Sequence, residues 1–247
     1  MKFLAIIFLA LTQILVAQNV VDIVRKSEDL LKGVSSKGKF RMVVETPDFT
    51  RTMEMDAWWI GNEKALIAIT SPKREAGNKT LKINNELWMY LRNTETTIKV
   101  PPSMMLQSWN GSDFTNDDLV RESSLPDDYT MNIIGEEELD NTLCWKIEMH
   151  PKPSAPVVWG KLNHWIRKKD YLPTKTEFYN EKGTLMRTMR YSEIRQFGNR
   201  IIPSKWEMFN NIKKQHRTSF EYLDVQFDIT ISDKVFSFRE LEKGRSR

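Results

Sequence analysis

The chain has 247 residues, with 37 basic and 33 acidic side chains, a formal net charge of +4 and a 40% hydrophobic share. That share supports a packed core and excludes a wholly disordered chain, and so small a net charge makes no electrostatic case for nucleic acid. A single cysteine, Cys144, excludes an intramolecular disulfide framework, a CxxC redox motif and a cysteine-rich zinc site.

Met1 and Lys2 precede an apolar run over residues 3–16, broken only by Thr12 and Gln13, with the small residue Ala17 after it. The run is shorter than the roughly 18 residues of a spanning helix. Residues 1–18 are expected to be a cleaved secretory signal peptide, and residues 19–247 a single exported domain. Asn19 is placed to cap a helix, with Asp22 three residues on. Val20, Ile23, Val24, Leu30 and Leu31 then share a helical face, and Gly33 stands where the helix stops.

Beyond Gly33 the pattern turns to period two. Phe40, Met42 and Val44 alternate with charged or solvent-tolerant neighbours, as do Met53, Met55, Ala57 and Trp59. Strands are predicted over residues 39–44, 50–60, 65–70, 80–83, 87–91 and 96–100, then over 129–134, 143–149, 157–167, 174–179, 185–194, 201–209 and 217–227. Turn residues separate them at short intervals: Gly61-Asn62, Asn84-Asn85, Asp140-Asn141, Lys182-Gly183 and Gly198-Asn199. Links this short require antiparallel neighbours, and so many strands in one domain curl into a barrel or half-barrel. The predicted fold is mainly β, a large curved antiparallel sheet forming an incomplete barrel, covered by the amino-terminal helix and short lid helices.

The lid is the interruption at residues 101–120. Pro101 and Pro102 end a strand and open a short apolar helix carrying Met104, Met105, Leu106 and Trp109, which Asn110-Gly111 stops. Thr115 with Asp118 marks the cap of a second short helix. Such a lid either plugs the open face with its own side chains or closes over an apolar ligand space.

Other motifs carry little. Gly33 through Lys39 follows the phosphate-loop spacing, but Phe40 stands where a hydroxyl must bind magnesium, and the order is helix, loop, strand. His150, His164 and His216 show no metal-ligand spacing, and no metal or cofactor is expected. Ser112 and Asp113 lack a nucleophile elbow, so no catalytic residue is assigned. Cys144 alternates with Trp145, Ile147 and Met149 and is expected to face outward with Lys146.

Residues 97–105, continuing through Gln107, Ser108, Trp109 and residues 111–120, resemble the LolA-like outer membrane lipoprotein-sorting proteins. The likeness extends to Leu87-Trp88-Met89-Tyr90, to Lys152-Pro153 with Val157-Val158-Trp159-Gly160-Lys161, to Trp165-Ile166 with residues 168–172, and to Thr176-Glu177-Phe178-Tyr179. The resemblance implies a periplasmic carrier, not an enzyme, that holds the acyl chains of lipoproteins or another lipid and passes them toward the outer membrane. It implies an inner-membrane ABC transporter of the lipoprotein-releasing type as partner. The expected cavity residues are Phe40, Met42, Met53, Met55 and Trp59 from the alternation, with Trp88 and Tyr90 from the likeness. The expected lid residues are Met104, Met105, Leu106, Trp109 and Phe114. The rival reading is a non-enzymatic periplasmic lipoprotein sensor or interaction domain, and the weakest is a secreted lipid hydrolase.

Overall fold

The computed structural model describes residues 19–121, 125–153, 155 and 157–244. The expected signal peptide, residues 1–18, lies outside the described residues. Helix α1 spans Val20–Lys32. The Asn19 side chain accepts a hydrogen bond from the Val21 N–H, and Gly33, at φ 64°, donates its N–H to Asp29 O and ends the helix. Gly38 sits where a Cβ would meet Asp224 O at 2.5 Å. The two glycines of the phosphate-loop spacing are thus a helix terminator and a close strand contact.

Six strands follow: β1 (Ser35–Glu45), β2 (Thr50–Ile60), β3 (Lys64–Ser71), β4 (Lys79–Ile83), β5 (Glu86–Leu91) and β6 (Thr96–Lys99). After the lid come β7 (Tyr129–Leu139), β8 (Thr142–Pro151), β9 (Lys161–Arg167), β10 (Pro173–Tyr179), β11 (Leu185–Phe197), β12 (Arg200–Asn210) and β13 (Arg217–Phe227). All thirteen form one antiparallel sheet in the order β6-β5-β4-β3-β2-β1-β13-β12-β11-β10-β9-β8-β7. Each half is a meander of hairpins, and the β1–β13 pairing joins the halves. The sheet does not close, so β6 and β7 are its edges. The lid connection therefore leaves one edge and re-enters at the other, across the open face.

Alternation sets the faces. Met42 pairs with Met53 and Phe40 with Met55, so all four point to the concave side and pack with Val44, Ile67 and Trp109. In the other half, Ile23 and Val24 of α1 pack on Ile147, Met149, Leu162, Ile166 and Met208. The helix thus fills the β7–β12 half, while Trp109 of the lid packs on the β1–β3 core and Phe114 reaches the helix's cluster. On the convex side Phe236 and Leu241 of the carboxy-terminal segment cover Leu66, Leu81 and Tyr90. Cys144 does lie on the convex face, but it is buried there, against the Thr174 hydroxyl at 3.4 Å.

Two local expectations need correction. The strand predicted over 157–167 begins only at Lys161: Val157 and Trp159 pack on the core as irregular chain, and Gly160 lies where a Cβ would meet the Glu181 Cα at 2.7 Å. The apolar helix predicted in the lid is instead two 3-10 turns, Pro102–Met104 and Trp109–Gly111. Asn110 breaks any longer helix at φ 48°. The second lid helix, α2 (Asn116–Arg121), forms as expected, with the Thr115 N–H and hydroxyl both donating to Asp118 Oδ2. A further single turn, α3 (Leu125–Asp128), leads into β7.

Candidate functional site

The helix and the lid leave a two-lobed space over the concave face. The first lobe, bounded by Trp59, Ala65, Ile67, Leu87, Trp109 and Phe220, holds about 1110 Å³ of unfilled space, counting its open mouth. The second, bounded by Tyr129, Trp159, Leu162, Phe178, Met189 and Met208, holds about 980 Å³ on the same measure. Leu31, Lys32, Phe114, Asp118 and Trp206 border both lobes and form the waist between them. The walls of both lobes are largely apolar, as the hydrocarbon part of a ligand requires.

The lid is fastened by polar contacts above this apolar space. Arg187 of β11 holds Asp118 of α2 in a bidentate pair, both distances 2.8 Å, and donates to Asp113 O at 2.7 Å. The two side chains are only 6% and 14% exposed. The guanidinium also lies over the rings of Trp159, at 4.4 Å, and Phe178, at 5.1 Å. Asp113 accepts from the Thr218 hydroxyl at 2.9 Å and from Asn210 Nδ2 at 3.2 Å. Arg51 of β2 donates to Asn110 O, and Trp109 Nε1 donates to the Thr80 hydroxyl at 3.2 Å. Five strands, β2, β4, β11, β12 and β13, therefore grip one short segment.

Burial shifts two of the titratable groups that border the second lobe. Burial raises the Glu28 carboxyl of α1 to about 7, and its Oε1 accepts from the Leu125 N–H at 3.3 Å. Burial lowers the His164 imidazole to about 4, so the ring is neutral in neutral solution, with Nδ1 2.7 Å from the Thr176 hydroxyl. The neighbouring Asn163 points to the convex side, near Tyr179.

The sequence-predicted residues divide. Trp59, Trp109 and Phe114 border the cavity. Phe40, Met42, Met53 and Met55 face it but are fully buried core beneath it. Trp88 and Tyr90 lie on the opposite face, under the carboxy-terminal segment, with Trp88 edge-on to Phe238. Leu81 is the concealed reason: it pairs with Trp88 and shares its convex burial, while Leu87 and Met89 make β5 apolar on the concave side as well. Met104 and Met105 pack on Leu87 and Val100 at the lid's edge, and Leu106 is 58% exposed. Ser112 uses its hydroxyl inside the lid, donating to Trp109 O at 2.7 Å. The second lobe was not anticipated. Its signal was present in the alternation Arg187, Met189, Tyr191 and in Trp206, Met208, which mark a buried face on strands that otherwise expose Arg and Glu.

An open antiparallel half-barrel with an internal helix and a lid joining its edges is the LolA-like architecture. A family model described as "Uncharacterized protein" matches residues 61–243, and the chain belongs to that family. The structure is similar to a DUF1329 family protein from Desulfovibrio piger, with a TM-score of 0.83 at 18% identity over 90% of this chain and 97% of that one. It is similar to a domain from Vibrio parahaemolyticus described as an outer membrane lipoprotein-sorting protein, with a TM-score of 0.79 at 19% identity over 90% and 98% of the two chains. It is also similar to a LolA superfamily protein from Nitrosomonas europaea, with a TM-score of 0.75 at 21% identity over 89% and 97%. No curated protein matches the chain in sequence.

Proposed function

We propose that this chain is a periplasmic, non-enzymatic carrier that takes the acyl chains of lipoproteins, or of another lipid, into the two-lobed cavity and passes them toward the outer membrane. The observation that carries this reading is the apolar space left open between sheet, α1 and lid, where a purely structural half-barrel would be filled. The fold supports it, since it is shared with a domain described as sorting outer membrane lipoproteins. So does the energetics: each buried methylene contributes about 0.8 kcal/mol, so a chain of roughly 15 methylenes gains about 12 kcal/mol before association costs. Loading from an inner-membrane ABC transporter of the lipoprotein-releasing type completes the proposal.

The test is native mass spectrometry of the protein purified from a bacterial periplasm, with organic extraction of whatever is bound. Co-purified lipid or acylated protein supports the carrier. A protein that stays empty when lipid is offered, yet captures a protein partner tightly, replaces the carrier with the sensor. Turnover across a survey of ester substrates would replace both with a hydrolase.

A further inference from the structure

The second lobe is not uniformly apolar. A polar stripe crosses its floor from strand to strand: His164 on β9, Thr176 on β10 and Tyr191 on β11. Thr176 pairs with His164 on one side and with Met189, two residues from Tyr191, on the other. His164 Nδ1 is 2.7 Å from the Thr176 hydroxyl, which is 3.5 Å from the Tyr191 hydroxyl. His164 and Thr176 are 5% and 3% exposed. The three groups hydrogen-bond one another, which offsets the cost of burying them, and the Thr176 hydroxyl, with one donor and two acceptor sites, retains one site after engaging its two neighbours.

The geometry points to a seat for an uncharged hydrogen-bonding group, an ester or hydroxyl oxygen on an acyl chain, against His164 and Thr176 in the second lobe. This rests on the carrier reading and narrows its cargo. The stripe offers hydroxyl and imidazole groups without net charge, because burial keeps His164 neutral. Asp117 and Asp128 border the same lobe, with Glu28, raised to about 7, beside them and Lys32 at the waist, so a carboxylate or phosphate there meets more negative than positive charge. Arg187 does not offset this, because Asp118 already neutralises it. The first lobe has the opposite character, with Lys64 and Lys82 at its border in addition to Lys32, which both lobes share. An acyl ester thus sets its carbonyl on the stripe and its hydrocarbon along the wall of Leu162, Phe178 and Met208.

The experiment displaces a fluorescent fatty-chain probe from the protein with methyl laurate, laurate and dodecane, which share a chain and differ at its end. Methyl laurate is expected to bind at least about tenfold more tightly than laurate. His164→Phe and Thr176→Val are each expected to weaken methyl laurate by about five- to tenfold, the worth of one buried hydrogen bond, without weakening dodecane. Thr176→Ser, which keeps the hydroxyl, is expected to retain wild-type affinity, and it serves if the larger change prevents folding. Laurate binding tightest, or methyl laurate and dodecane shifting together in the variants, overturns the inference and leaves the carrier standing. Displacement by none of the three from the wild-type protein overturns the carrier and the inference with it.

Discussion

Replacing Arg187 by Met tests whether the lid is a unit that opens on its own. The substitution leaves the Asp118 carboxylate buried, with the Thr115 N–H and hydroxyl still donating to it. Breaking a buried pair of this kind costs about 3–5 kcal/mol, and loss of the stacking on Trp159 and Phe178 adds to it. At about 4 kcal/mol, Tm would fall by roughly 8–16 °C in a domain of this size. A lid that can swing away returns Asp118 to water, so the loss of global stability is capped at the free energy of lid opening. The expected result is a smaller fall in Tm, with amide hydrogen exchange accelerated in residues 101–119 and unchanged in β8–β10. Arg187→Met combined with Asp118→Leu removes the orphaned charge and is expected to restore much of the lid's protection. A full fall in Tm with exchange accelerated throughout the sheet refutes an independent lid. No change in either measurement refutes the latch.

Three further outcomes follow from local geometry. Burial raises Glu28 to about 7 from 4.5, so its contribution to stability is full below about pH 4.5 and is lost as pH rises through about 7. Burial lowers His164 to about 4 from 6.5, so its contribution is full above about pH 6.5 and is lost as pH falls toward about 4. The slopes oppose each other between about pH 4.5 and 6.5. Glu28→Gln should therefore leave stability that climbs with pH there and His164→Phe stability that falls, by up to about 3 kcal/mol each, read from urea midpoints; curves that superimpose on the wild type count against both assignments. Ala65→Phe should narrow the first lobe and remove or shorten co-purified acyl chains in native mass spectra with little change in Tm; unchanged cargo would mean that chains do not enter that lobe. Gly38→Ala should cost about 1–3 kcal/mol, because the new methyl meets Asp224 O at 2.5 Å and the Phe40 ring at 3.0 Å; a neutral result in denaturant would show that β1 and β13 can part there.

Much of the sheet was legible because its strands are short, alternate cleanly and are punctuated by turn residues. Asn84, Asp140, Asn141, Gly183 and Gly198 all adopt the positive φ that their turns require. The face of β1 and β2 was legible for the same reason: Phe40, Met42, Met53 and Met55 are apolar and, Val43 apart, their alternates Lys39, Arg41, Thr52, Glu54 and Asp56 are not. Whether that face borders a void was not legible, since this depends on where α1 and the lid stop short, which no local pattern encodes. Trp88 and Tyr90 misled because β4 and β5 are buried on both faces, and period two then gives no direction. The Arg187–Asp118 latch joins positions 69 residues apart in sequence. It was visible only as an arginine on the apolar phase of β11.

The latch and the cavity together constrain how cargo leaves. A chain of roughly 15 methylenes gains about 12 kcal/mol in the cavity, whereas lid opening returns Arg187 and Asp118 to water together and so costs less than the ~3–5 kcal/mol of orphaning one of them. Opening the lid therefore still leaves an acyl chain strongly disfavoured in water. Under the carrier reading, an open lid permits transfer but does not cause discharge, and the chain moves only onto another apolar surface. The expected observation is a release rate that rises with the concentration of acceptor vesicles and stays near zero on dilution into buffer. In Arg187→Met the vesicle-dependent rate should rise while release into buffer stays near zero. Rapid release into buffer from either protein would show that the cavity holds far less of the chain than its two lobes allow, and it would overturn the assignment of both lobes to cargo.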